Sequence, residues 1–185
     1  MEQHLITNSS NSHATKRISD FVLKSGDGQE FGVHKHITVH ACSGYFRSDD
    51  EIREGRCFMP NVDAKTAEVF LLFMYGAVQE IPEHMIQPVF AAADEYQFTR
   101  LKTHIENLLI PRIALNTAAE FLIVAGKCNS YRLSEVALRI IQDKGRDFVE
   151  AGGLTVLETN GPDSLFRMVR SGRTNSRWLD VINAR

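Results

Sequence analysis

Between Phe31 and Cys42 the chain reads FGVHKHITVHAC, with three histidines and a cysteine inside nine positions. His36 and His40 are four apart, which on a helix sets them about 40° from each other on one face, the spacing of a two-histidine metal site. A hydrolytic zinc site of that kind also needs a carboxylate beside the first histidine as general base, and a third ligand. The motif here is HITVH, with Ile37 where the carboxylate should stand. Cys42 lies about 200° around the same helix from His40 and faces away from it. The pattern therefore favours packed or surface histidines over a metal centre, and no metal ligand, cofactor or catalytic residue is assigned.

The other chemistry-bearing residues read in the same direction. Asp94 and Glu95 are adjacent and so point apart on a helix, which disfavours a paired acid and base. Cys128 has Lys127 beside it, able to lower a thiol pKa, but no histidine nearby in sequence completes a nucleophile pair, so a packed thiol is expected. GDGQ at residues 26–29 is too short to cradle a phosphate and lacks the Gly-Lys-Ser/Thr ending. The expectation is a protein that is not an enzyme.

Bulk composition narrows the partners. With 21 basic and 23 acidic residues in 185, the net charge of −2 gives no general attraction to nucleic acid or to an anionic membrane. A hydrophobic content of 43% is ample for a packed core. Three cysteines without CxxC spacing argue against a disulfide framework and for a reducing compartment. MEQHLITNSSNSHATKR has no apolar stretch of signal-peptide length, and the longest apolar run, Val69 to Tyr75, is too short to span a bilayer. An intracellular protein, in nucleus or cytoplasm, is expected.

The elements that position these residues follow from turn and cap signals. Residues 1–17 are polar and read as a flexible lead-in. FVLKS and EFGV flank GDGQ as the arms of a hairpin. Lys35 to Phe46 suits a helix burying Ile37, Ala41 and Tyr45. SDDEIREGR is a charged loop, followed by the strand CFM ended by Pro60. Asp63 caps a helix through AKTAEVFLLFMY with Ala67, Phe70, Leu71 and Met74 on one side. VQEI is a strand candidate. Pro88 is tolerable in a first turn, which starts the next helix near Gln87. Thr99 caps RLKTHIENLL, Pro111 breaks it, Asn116 caps TAAEFLIVAGKC, and YRLSEVALRIIQDKG continues the helical pattern. A short turn ends at Gly152 and Gly153, and SLFRMV forms a last helix before a polar tail. The fold class is α+β: short strands with a helical cluster, then an all-helical extension of helix pairs.

SDFVLKSGDGQEFGVHK, CSGYF, NVDAKTAEVFLLFMYG and AAADEYQFTRLKTHIENLL, in that order and spacing, resemble the BTB/POZ domain. NTAAEFLIVAGKCNSYRLSEVALRIIQDKGRDFVEAGG resembles the 3-box and BACK region that follows BTB in speckle-type POZ proteins. The resemblance implies a BTB/POZ domain over 18–110, a 3-box/BACK-like extension over 111–172 and a polar tail over 173–185. It also implies an adaptor that binds the ubiquitin-ligase scaffold cullin-3 and recruits targets through a separate MATH or Kelch domain. Neither MATH sequence nor Kelch repeats are recognised in these residues. In the family a loop with a hydrophobic residue, any residue, then Glu contacts cullin, and Ile52, Arg53 and Glu54 occupy the matching place. The chain departs from the family in a shorter segment after Phe46, a polar N-terminus in place of the dimer-seam helix, and one extra residue between His34 and Ser43. The alternative is therefore a BTB homo- or hetero-oligomerisation module without cullin binding, acting as a competitor of full-length adaptors.

Overall fold

The computed structural model describes residues 19–43, 45, 53–77 and 80–159. They fall in two compact units that divide between Thr103 and His104. In the first unit, β1 (Phe21–Ser25) and β2 (Glu30–Val33) form the expected antiparallel hairpin, with Leu23 opposite Phe31. Period-two alternation puts Phe21, Leu23, Phe31 and Val33 on one buried face, while Lys24 and Glu30 face outward. β3 (Arg56–Met59) is the expected CFM strand and runs parallel to β1, giving the order β2-β1-β3. Parallel strands cannot be joined by a tight turn, and here the chain between Ser25 and Arg56, which includes β2, separates β1 from β3.

The GDGQ turn does more than reverse the chain. Gly28 takes φ +89°, and the Gly26 N–H donates to Val62 O at 2.8 Å. A Cβ on Gly26 would lie 2.1 Å from Pro60 O, so only glycine lets the hairpin approach the segment leaving β3. Asp27 accepts from the Ser25 hydroxyl and, at 3.1 Å, from the Ala64 N–H.

α1 (Lys35–Ala41) is shorter than expected and turns a different face inward. Thr38 and Cys42 are buried, whereas Ile37, Ala41 and Tyr45 are only partly covered, and Phe46 lies outside the described residues. Thr38 can be buried because its hydroxyl donates to His34 O at 3.1 Å. Cys42 then leaves helical geometry at φ −111°, ψ 38°. α2 (Ala64–Met74) begins as expected, with Asp63 Oδ1 accepting the Thr66 N–H at 2.7 Å. Ala67, Phe70 and Leu71 are buried and Met74 partly so. Of the VQEI candidate, Val78 and Gln79 lie outside the described residues, and Glu80 and Ile81 are not in a strand.

α3 (Glu83–Glu95) corrects the expected start at Gln87, since Pro88 sits well inside it. His84 and Pro88 both face solvent, so the carbonyl deprived of its N–H partner is open to water. The opposite side buries Met85, Ile86, Val89, Phe90, Ala92 and Ala93, and that burial outweighs the lost bond. Gln97, at φ 52°, turns the chain into α4 (Thr99–Leu109). Thr99 is the first helical residue rather than the cap, and its hydroxyl faces back to Gln97 O at 3.5 Å. Phe70 packs edge-on against Tyr96 and Phe98, with ring centroids 6.1 and 5.2 Å away.

The second unit begins within α4. That helix ends in a 3₁₀ turn at Ile110–Arg112, where Pro111 stands. α5 (Ala118–Lys127) and α6 (Tyr131–Asp143) form the expected pair. Thr117, not Asn116, precedes α5, and its hydroxyl oxygen accepts the Ala114 N–H at 3.0 Å. Ser130 caps α6 through the Leu133 N–H. The short turn expected afterwards is two helices, α7 (Gly145–Glu150) and α8 (Gly153–Thr159). Leu122, Ile141, Phe148 and Leu157 close one core across all four. A Cβ on Gly153 would stand 2.3 Å from the Phe148 ring, so this contact requires glycine. The readings of 1–17, of SLFRMV and of the tail 173–185 fall on residues outside the described ones.

Candidate partner-binding surface

Of the three loop residues that the resemblance implies, Arg53 and Glu54 are described and Ile52 is not. Arg53 and Glu54 are helical and exposed. Gly55 follows at φ +67°, and its carbonyl accepts the Val22 N–H at 2.9 Å. The exposed pair is thus tethered at its C-terminal end to the central strand, and a rigid support of this kind suits side chains that meet a partner.

The histidine stretch resolves into a structural node. The Tyr75 hydroxyl accepts the backbone N–H of His34 at 2.9 Å and lies 2.9 Å from His34 Nδ1. One hydroxyl thus meets both the backbone and the ring of His34, and the donor of the ring contact is set by the imidazole tautomer. Burial pushes the Tyr75 phenol up, the His34 N–H opposes this, and the Asp20 charge adds to it. Asp20 Oδ1 accepts the Lys35 N–H at 2.7 Å and so closes the start of α1 from the strand side. That bond, chiefly, holds the Asp20 carboxyl below its ordinary value. His36 and His40 are exposed while Cys42 is buried, the opposed facing expected from the spacing. Among the described residues no cluster of His, Cys, Asp or Glu is arranged to hold a metal.

The remaining candidates are engaged separately. Asp94 pairs with Lys102, while Glu95 Oε1 accepts from Asn61 Nδ2 at 3.0 Å. Cys42, Cys57 and Cys128 are buried and in no disulfide, and burial, with the nearby Cys57 adding, pushes the Cys42 thiol up to about 12. A thiol so protonated is not a nucleophile near neutral pH. Glu106, 6% exposed, accepts from Ser130 Oγ at 2.6 Å and from Arg132 Nη1 at 3.4 Å, joining the end of α4 to the start of α6. Tyr75, Asp20, Asp27 and Glu106 went unassigned in the sequence because each acts across a long separation. The Tyr-Gly step at 75–76, a helix-ending signal, marks where Tyr75 lies but not its partner.

Residues 9–113, more than half of the chain, match the BTB/POZ domain. The chain belongs to the BTB/POZ family. Its three-stranded sheet and helical cluster are the BTB/POZ fold, and a BTB domain is a protein-interaction module. Kelch-like protein 41 of Homo sapiens is 26% identical over 161 residues, covering 81% of this chain and 26% of that protein. Kelch-like protein 41 of Mus musculus and of Rattus norvegicus are each 25% identical over the same shares. The chain therefore spans about a quarter of the length of these curated relatives. Among the described residues no helix is long and apolar enough to cross a membrane.

Proposed function

We propose that this BTB/POZ protein is a substrate adaptor, or adaptor-like subunit, of a cullin-3 RING ubiquitin ligase. In this reading residues 18–110 are the BTB domain and 111–172 a 3-box/BACK-like extension. Ile52, Arg53 and Glu54 form part of the cullin contact, and the protein acts inside the cell, in nucleus or cytoplasm. The observation that carries the reading is the exposed Arg53–Glu54 pair followed by Gly55, whose carbonyl is bonded to the central strand; the resemblance to BTB adaptors is what assigns this segment to cullin contact. A hydrophobic anchor beside such a pair contributes when a partner's pocket desolvates it. The Kelch-like relatives and the all-helical second unit support the same reading. Titration of the cullin-3 N-terminal domain into the chain tests it, with loss of binding expected in the Ile52→Ala, Glu54→Ala variant.

A second reading has one observation in its favour. Phe58, 52% exposed on the outward face of β3, is a large apolar group at the edge of the sheet. It suits a BTB pairing module that associates with itself or another BTB protein without cullin-3. Sedimentation velocity across micromolar concentrations separates the two readings, since a strict monomer excludes self-pairing.

A further inference from the structure

Among the described residues β3 is an edge of the sheet, since the strand order is β2-β1-β3. Its free side follows from its bonded one. Val22 lies opposite Arg56 and its N–H donates to Gly55 O at 2.9 Å, so in this parallel ladder the Gly55 carbonyl, both main-chain groups of Cys57 and the Met59 N–H turn toward β1. The N–H and C=O of Arg56 and of Phe58 therefore point away from the sheet. Phe58 O is touched by the Cys57 thiol at 3.9 Å, a weak donor that leaves the second lone pair of the carbonyl free. Both side chains stand on the outward face, Arg56 exposed and Phe58 52% exposed. Outward main-chain groups beside an exposed aromatic ring form a template for another strand.

We propose that β3 pairs with β3 of a second copy of this chain, antiparallel about a two-fold axis at Cys57, joining two three-stranded sheets into one. The inference rests on the self-pairing reading above and gives it a surface and a register. With the axis at Cys57, Arg56 faces the partner's Phe58 and Phe58 faces the partner's Arg56. Each such pair exchanges both of its N–H···O=C bonds, so every outward main-chain group of Arg56 and Phe58 is used. Each guanidinium also lies across from a phenyl ring, a favourable cross-strand pair. The strand is thus complementary to itself in this register and not in its neighbours. An axis at Arg56 would set two cations opposite each other, and one at Phe58 would set Arg56 against Pro60, which has no N–H. An axis between residues would put inward-turned groups against outward-turned ones. The same patch serves both copies, so the pairing closes at a dimer, and so small an interface makes that dimer weak and reversible.

Sedimentation velocity of the full chain, from micromolar to millimolar concentration, reads the dimer constant. Wild type should dimerise reversibly. Phe58→Arg sets cation against cation and should weaken the dimer at least tenfold. Arg56→Phe with Phe58→Arg exchanges the two side chains, recreates both cation–ring pairs about the same axis, and should return the constant to within about threefold of wild type. Arg56→Glu removes the cation without touching Phe58 and should weaken the dimer comparably, which keeps the test open if Phe58→Arg does not fold. Both positions are exposed, so the variants should fold, which a thermal melt checks. A strict monomer at millimolar concentration would overturn the inference together with self-pairing. A dimer whose constant is unchanged in Phe58→Arg and Arg56→Glu would overturn the inference alone, because the copies would then meet elsewhere. Weakening by the single variants without rescue by the exchange would overturn the two-fold register.

Discussion

Tyr75 and His34 sit 41 residues apart and meet through two contacts on one hydroxyl. Tyr75→Phe removes the acceptor of the His34 N–H while keeping the ring, so it should lower unfolding free energy by about 1–2 kcal/mol in urea titrations. Asp20 and Asp27 act by charge. Both carboxyls are held below 3.8, Asp20 mainly by the Lys35 N–H and Asp27 mainly by the Ser25 hydroxyl, with the Ala64 N–H next. A lowered folded pKa means that the unfolded chain binds the proton more tightly. The stability these groups contribute is present above the unfolded value and is lost as pH falls through the folded ones. The urea midpoint should therefore drop between pH 5.5 and pH 3, and the Asp20→Asn, Asp27→Asn variant should show a smaller drop over that interval.

At the scale of elements, what local chemistry dictates was legible. The Gly/Asp turn marked the hairpin, Asp63 the start of α2, Pro111 the end of α4, and the apolar spacing the α5 and α6 pair. The misreadings arose where tertiary burial overrode a local rule. Pro88 suits a first turn and so points to a start near Gln87, yet α3 begins at Glu83 because its buried face stabilises the turn before the proline. Restoring the missing donor with Pro88→Ala should therefore stabilise the protein by about 2 kcal/mol: roughly 3 for the interior proline, less up to about 1 for the more flexible unfolded chain. A thermal or urea melt reads it directly, and unchanged stability would mean that the helix has already adapted to the proline. α1 was misread in length and face because Thr38, polar by type, is buried by bonding its own helix. The Glu106 tie between α4 and α6 gives the converse case of a polar group in a core. Glu106→Ala should cost about 2–4 kcal/mol because Ser130 loses its buried acceptor, whereas Glu106→Gln, which keeps a carbonyl for Ser130, should cost less.

For the whole molecule, the α+β class and the BTB/POZ family were readable from the order and spacing of several segments, with no single motif sufficient. Parallel pairing of β3 with β1 was not readable, since nothing local in RCFM states its partner. Of the proposed partner contact, the exposure of Arg53 and Glu54 follows from their charge, but the fastening of Gly55 to Val22 belongs to the sheet. A BTB domain is a protein-interaction module, and the proposed function of this chain rests on whom it binds. Isothermal titration calorimetry of the chain with the N-terminal domain of cullin-3 tests that most directly. The adaptor account predicts submicromolar binding by the wild-type chain, abolished or weakened at least tenfold by Ile52→Ala with Glu54→Ala. No binding by a well-folded wild-type chain, or equal binding by the variant, would contradict it.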